Sequence, residues 1–491
     1  MGARPGERRT GGNVVTDYQL FINGAWQPGH STDRIEAIDP ATEQVIATVP
    51  RGNAADIDDA VAAARAAFEG PWQRLKPKER ARLLYDLARA IEREAEVFAE
   101  LETRDSGKPL PTSRKETLST ARYFEYYAGI ADKLHGEQIP LGPDYIDFTI
   151  REPLGVSAQI VPWNMPLNMI GRGVAPALAA GNTVVVKPAE QTSLTALKLG
   201  ELFQLAGFPP GVYNVVTGYG PEAGAPLSTH PGIDGITFTG SVETGRRIMQ
   251  AATVHIKPVV LELGGKSPHI IFADADLDVA AGEVAKGIYS NCGQICSAGS
   301  RVLIDERIRE PLLEKLVARS RGVRVGPGLD SPDMGPLVSA EHFERVMGYI
   351  DVGRREGARV LAGGGRADGF DRGYFIAPTV FADVAGDMRI AQEEIFGPVL
   401  AAMTFRDEDE ALAIANGTKY GLAAGIFTND INRALRLAAG IKAGQVYINE
   451  YYAGGEETPF GGYKQSGFGR EKGLATLQSY TQIKNVAIRL R

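Results

Sequence analysis

Cys292 and Cys296 lie four residues apart in "NCGQICSAGSR" (291–301) and are the only two cysteines in a chain of 491 residues. As a thiolate either one is a nucleophile; as a buried thiol either one is a small apolar filler. They are too close together to staple a useful loop. With no second pair and none of the six histidines nearby, they do not read as a zinc site either. Glu262, in "VLELGGKSP" (260–268), sits on an otherwise apolar strand and is followed by Gly264 and Gly265. A carboxylate so placed is paired, neutral or functional. Raised in pKa by burial it is a general base near neutral pH, and a structural salt bridge is the alternative. In "IVPWNMP" (160–166) Asn164 offers a neutral amide donor suited to a developing oxyanion, or closes its own turn.

A second group of residues has the character of an anion and sugar site. "GITFTGSVETGRRIMQAA" (235–252) runs an apolar strand into a corner where Ser241 is a natural N-cap. The free N–H groups and dipole of the helix behind it attract anions, although an ordinary strand-to-helix turn has the same look. The corner lacks the G-x-G-x-x-G fingerprint. In "VVVKPAEQTSLTAL" (184–197) Lys187 and Glu190 follow a buried strand and precede a helix, at the edge where open sheets bind ligands. There a carboxylate accepts from both hydroxyls of an adenosine ribose and repels a 2′-phosphate; a capping glutamate beside a solvated lysine is the plainer account. Glu394 and Phe396 in "EEIFGPV" (393–399) either face a ligand or end a helix and plug a core. "PFGGYKQSGFGRE" (459–471) is denser in glycine than a plain surface loop requires.

These groups need elements to hold them. The length suggests about three domains at roughly 150 residues each. Two cysteines fit a reducing compartment. The net charge of −7 is spread out, with no basic stripe for nucleic acid. The most apolar segment, 173–186, is broken by Pro176, Gly181 and Asn182 and is too short to span a bilayer, so neither a nucleic acid nor a membrane is expected as a partner. Residues 1–16 read as a disordered lead-in rather than a signal peptide, and the expected location is cytoplasmic. Strand-like and helix-like segments alternate, which argues for an α/β fold with largely parallel sheets. The spacing predicts helices over 56–70, over 79–102 up to a stop at Gly107, and over 193–207. Strands are expected at 155–163, 182–188 and 211–218, and "YIDFTIREP" (145–153) is expected to leave the body and pair with "TQIKNVAIRL" (481–490).

Taken in order, "LELGGKSP", "GQICSAGSR", "EEIFGPV" and "PFGGYKQSGFGRE" resemble the NAD(P)-dependent aldehyde dehydrogenase superfamily, from about Tyr18 to Arg491. The family pattern G-Q-x-C falls on Gly293-Gln294-Ile295-Cys296. The resemblance therefore implies Cys296 as nucleophile and leaves Cys292 as filler. It implies Asn164 and the Cys296 N–H as oxyanion donors, Glu262 as general base and Glu471 as a second acid in proton relay. NAD, with NADP as a second option, is the implied cofactor. Lys187 and Glu190 would hold its adenosine ribose, Ser241 its pyrophosphate, Glu394 and Phe396 its nicotinamide ribose, and Pro162 and Trp163 the groove wall. The implied reaction oxidises an aldehyde to a carboxylic acid through a thiohemiacetal and then a thioester on Cys296, hydrolysed by water that Glu262 activates. A site built for this is expected to depress the Cys296 pKa.

By the same resemblance Met165 and Arg172 line the aldehyde tunnel, with Tyr451, Tyr452 and Phe460 near its mouth. An arginine at 172 resembles branches acting on semialdehydes or aromatic aldehydes. It either grips a distal carboxylate or packs its stem on the helix and bonds a neighbouring carbonyl. Gly173 stands where many relatives carry lysine. A CoA-acylating semialdehyde dehydrogenase and a non-catalytic binding protein on the same fold are the rival readings, and Glu262 counts against the first. The implied architecture is a Rossmann-type cofactor domain (17–130 and 150–258), an α/β catalytic domain (259–448) and an active-site loop (449–474). A small β oligomerisation arm (131–149 and 475–491) completes it, giving a homodimer or homotetramer acting on a small-molecule aldehyde.

Overall fold

The structure, a computed structural model, describes residues 6–10 and 13–491. Apolar runs bounded by glycine and proline build its first large sheet. Strands Val156–Val161, Thr183–Pro188, Tyr213–Val215, Gly235–Thr239 and Val259–Glu262 run parallel. They are covered on both faces, which is why they read as near-continuous apolar runs rather than as alternation. The hairpin Leu20–Ile22/Ala25–Gln27 extends one edge and Gly467–Phe468 pairs antiparallel at the other. From 156–161 the chain adds 183–188 and 213–215 on one side, then returns to lay 235–239 and 259–262 on the other. This reversal opens a crevice at the carboxyl ends of strands 156–161 and 235–239, where open sheets take ligands.

A second sheet carries the cysteine loop. Thr379–Ala382, Val399–Phe405, Arg301–Asp305, Pro268–Ile271, Ala423–Phe427 and Gln445–Ile448 are parallel, and Arg359–Ala362 runs antiparallel at one edge. Helix Leu277–Tyr289 packs on this sheet and leads into the loop; its Asp276 cap accepts from the Asp278 and Val279 N–H groups. Apart from both sheets, Tyr145–Pro153 pairs antiparallel with Thr481–Arg489 along its whole length, as the sequence suggests. Ile146, Ile150, Ile483 and Ile488 stand exposed on this small sheet. Among the described residues no helix is long and apolar enough to cross a membrane.

Two expectations are corrected. The helix read over 79–102 is two, Pro77–Arg93 and Ala95–Ser106, broken where Glu94 takes φ −97° and ψ 13°. Tertiary contacts win over a continuous helical pattern here. The second helix delivers buried Glu102 to the Leu167 N–H and Asp105 to the Leu194 N–H. Gly107 caps it in the left-handed region (φ 81°), as its position implies. Within the expected lead-in at 1–16, the described residues 6–10 and 13–16 are strand rather than disordered chain. Gly6–Thr10 and Asn13–Asp17 form a hairpin, and the second strand pairs with Gln44–Pro50 while Val15 is buried. An open sheet edge gives that backbone hydrogen-bond partners. Residues 1–5 and 11–12 lie outside the described residues.

Candidate active site

After helix Leu277–Tyr289 the chain does something costly. Asn291 (φ 49°), Cys292 (φ 57°) and Gly293 (φ 72°) enter the left-handed region in succession. Each of the two non-glycine residues gives up about 1–2 kcal/mol by doing so. Such strain persists only where neighbours over-determine it, and here they do. Asn291 Nδ2 donates to the Asn164 carbonyl (3.0 Å), and Gln294 Nε2 donates to the Asn291 carbonyl (3.1 Å). Gln294 Oε1 accepts from the Val338 N–H (2.9 Å). Tyr451 Oη donates to the Ser297 carbonyl at 2.8 Å. The turn drives Cys292 into the core of the second sheet, where it is 1 % exposed, and brings Cys296 out half-buried. Asn164, from the other domain side, donates Nδ2 to the Gln294 carbonyl at 2.8 Å. That bond uses one amide hydrogen and leaves the second for an oxyanion beside Cys296.

Glu262 ends its strand fully buried, and neither carboxylate oxygen has a hydrogen-bond partner in the protein. Burial first, and then the nearby Glu471 charge, hold its pKa well above the usual glutamate range, against the pull of Arg172 and Arg470. Glu471 is buried and forms an ion pair with Arg172; burial raises its pKa too, and Arg172 opposes the rise. The expectation of a depressed Cys296 pKa is overturned. Burial pushes the thiol up to about 12, and Arg172 is the first of the groups that pull it back. Without a histidine or a helix N-terminus to hold a thiolate, desolvation wins. The arrangement stores a neutral thiol beside a high-pKa carboxyl group.

The crevice between strands is a groove of about 620 Å³ lined by Pro162, Trp163, Lys187, Glu190 and Ser241, with Gly220 and Gly224 leaving open space. Lys187 and Glu190 pair at 3.2 Å. Ser241 caps helix Val242–Ala252 by accepting from the Thr244 N–H (3.2 Å), as its place in the sequence implies. Glu394 and Phe396 lie outside the groove lining; Trp163 connects to them, its ring edge-on to Phe396 at 5.2 Å. Glu394 Oε1 accepts from the Gly265 N–H (2.9 Å), and burial raises its pKa to about 7. Sequence reasoning misses His342. Its Nε2 meets the Phe396 carbonyl at 2.7 Å and its ring packs on Trp163 at 5.0 Å, bracing Phe396 in a left-handed conformation (φ 65°). Burial lowers its pKa to about 4, so the ring is neutral and its Nε2 carries the donor hydrogen. One histidine in an amphipathic helix gives no signal for this in the sequence.

The tunnel residues divide. Met165 opens helix Pro166–Ala180, which carries Arg172. The Phe460 ring lies against the Arg172 guanidinium, 4.3 Å from its centroid. Tyr451 is not at a mouth: it is fully buried against His269, with its hydroxyl committed to the Ser297 carbonyl. Tyr452 is half-buried and donates to the Gly287 carbonyl (3.0 Å). Both tyrosines brace the cysteine loop because the "EYY" run packs against helix Leu277–Tyr289, a tertiary contact that local pattern cannot show.

Residues 26–486 match the model of the aldehyde dehydrogenase family. The chain is 47 % identical over 477 residues to the mitochondrial aldehyde dehydrogenase of Rattus norvegicus, covering 96 % of this chain and 92 % of that protein. It is 48 % identical over 480 residues to a hydroxyisobutyraldehyde dehydrogenase of Mycolicibacterium austroafricanum, covering 97 % and 95 %. The NAD+ complex of an aldehyde dehydrogenase from Bacillus cereus superposes with a TM-score of 0.95 at 47 % identity, covering 97 % of each chain.

Proposed function

The chain belongs to the aldehyde dehydrogenase family, and from that premise we propose that it oxidises an uncommitted aldehyde to its carboxylic acid with NAD, using Cys296, Asn164 and Glu262. The observation that carries the reading is Glu262. Its carboxyl group is buried, without a partner, and electrostatically coupled to Cys296 at the end of a dinucleotide-sized groove. The groove fits the cofactor on its own chemistry. Glu190 and Lys187 suit ribose hydroxyls, the N-terminus capped by Ser241 suits a pyrophosphate, and Trp163 leads toward Glu394 and Phe396. Glu190 disfavours a 2′-phosphate, which makes NAD preferred over NADP. When bound, NAD accepts the hydride.

The protein's own groups do the rest. Glu262 takes the proton from Cys296 as the thiolate adds to the carbonyl carbon, giving a thiohemiacetal. Asn164 Nδ2 and the Cys296 N–H steady the alkoxide, and one such donor is worth about 3 kcal/mol. Hydride loss leaves a thioester. Glu262 gives up that proton to solvent and takes another from water, which attacks the thioester; the departing Cys296 thiolate recovers this second proton as the acid is released. Met169, Tyr447 and Phe460 around Arg172 favour an apolar or aromatic aldehyde body. A base with no other partner favours water over CoA as the acyl acceptor. Two free cysteines suit a cytoplasmic setting, and the exposed isoleucines of the paired arm suit a homodimer or a dimer of dimers.

Glu262→Gln tests the mechanism. A burst of NADH with turnover reduced by about 10²-fold or more supports the base role; normal turnover refutes it.

A further inference from the structure

Arg172 is a buried arginine (6 % exposed) on helix Pro166–Ala180, and two uses of its charge compete: gripping a carboxylate on the substrate, or serving the catalytic carboxyl groups. Resting on the dehydrogenase reading above, we propose the second. Arg172 is a positioning residue that holds Glu471 beside Glu262 and keeps positive charge near Cys296, so the tunnel takes an aldehyde that carries no charge.

The geometry of the pair is a clamp. Arg172 Nε meets the Glu471 carboxylate, and the Phe460 ring covers the guanidinium. Phe460 and Glu471 are themselves bridged by backbone hydrogen bonds in both directions (2.7 and 2.8 Å), so the partner and the cover move as one piece. Nη1 reaches the Met169 sulfur at 3.8 Å. Swinging Arg172 to a substrate carboxylate would strand Glu471, 3 % exposed, without its counter-charge, and an unpaired buried charge is strongly destabilising. Nη2 makes no hydrogen bond to the protein, and its N–H donors suit a neutral oxygen as well as a charged one.

The next position on the helix cannot take over the task. A side chain at Gly173 would collide with the Gln159 amide oxygen, which is fixed by bonds from Gln159 Nε2 to Ser157 Oγ (2.9 Å) and Tyr480 Oη (3.3 Å). The space beside Gly173 is filled, and the cation this helix brings to Glu471 is Arg172, one residue earlier. The groups facing Glu471 are Arg172 from its helix, Glu262 from its strand, Lys472 from its own segment, Tyr123 and Tyr127 from helix Leu110–Ala128, and Tyr480; Arg470 acts on Glu262. Glu456 and Glu457 act on Arg172's neighbours Tyr123 and Lys472. Burial and Arg172 lower Lys472 to about 8. Each of the three cations already faces a carboxyl group of the protein, so none is left unmatched for an incoming carboxylate.

The test compares benzaldehyde with succinic semialdehyde, using NAD and wild type, Arg172→Lys, Arg172→Gln and Glu471→Gln. Arg172→Gln is expected to lower kcat for both aldehydes by the same factor, about tenfold for each unit of pKa shift. It is also expected to move the rising limb of the kcat–pH profile to higher pH, because losing the cation makes Glu262 and Cys296 harder to ionise. Arg172→Lys is expected to restore both. An Arg172→Gln enzyme with an unmoved limb and full activity on benzaldehyde, but a raised KM for succinic semialdehyde alone, overturns the proposal. Should Arg172→Gln fail to fold, Glu471→Gln decides: freeing the arginine is expected to lower KM for the carboxylated aldehyde relative to benzaldehyde, and an unchanged ratio overturns the proposal. A wild type that forms no NADH from either compound refutes the dehydrogenase reading and this one with it.

Discussion

Cys296 and Cys292 differ by four positions in sequence and by their whole environment in space. Cys296→Ala is expected to abolish NADH formation, while Cys292→Ala keeps most of it and loses about 1–2 kcal/mol of stability from a core cavity. Steady-state rates and urea melts of the two variants check this. Glu394 makes a second point about single residues. Its pKa is raised by burial from 4.5 to about 7, so folding favours the protonated form. The associated stability is complete below the unfolded value and is lost as pH rises through the folded one. Glu394→Gln is therefore expected to melt higher than wild type near pH 8, by up to about 2 kcal/mol after solvent screening, with the gap closing near pH 5. Calorimetry at the two pH values measures it, and the same variant should bind NAD more weakly. The reactive types were legible in the sequence because a glutamate on an apolar strand and a cysteine in a glycine-bearing loop are conspicuous. Protonation was not: the Cys296 pKa depends on burial and on Arg172, which lies more than a hundred positions away in sequence.

At the scale of elements, the reactive loop depends on a cross-domain set of hydrogen bonds. Asn291 takes the left-handed region and also donates to Asn164, so Asn291→Ala loses both a tolerant residue and a buried bond. The expected cost is about 2 kcal/mol in stability, with kcat falling and the KM for NAD unchanged. Denaturant melts and kinetics over a cofactor series report it. Helix Pro166–Ala180 has its own anchor. Glu102 accepts from the Leu167 N–H at its first turn while pairing with Lys108, which also pairs with Glu116. A negative charge at a helix N-terminus is favourable. Strand and helix identities here were readable from apolar period and from glycine stops. The break at Glu94 and the bracing tyrosines were not, because contacts remote in sequence decide them.

For the molecule as a whole, the small sheet of Tyr145–Pro153 and Thr481–Arg489 offers exposed Ile150, Ile483 and Ile488 and an unpaired strand edge. Removing residues 481–491 is expected to leave monomers by size-exclusion chromatography with light scattering, and an unchanged native mass would exclude the arm as the assembly surface. The acid–base centre shows another long-range dependence. Strand Val259–Glu262 is bordered by Gly467–Phe468, and Glu471 reaches Arg172 only through the bridge to Phe460. A ribosome that has already made the sulfur-bearing loop still has some 170 codons to translate before Glu471, the last of the proton-handling groups, exists. During synthesis the thiol is thus without its complete acid–base centre, which is assembled only as the tail of the polypeptide folds back across its beginning.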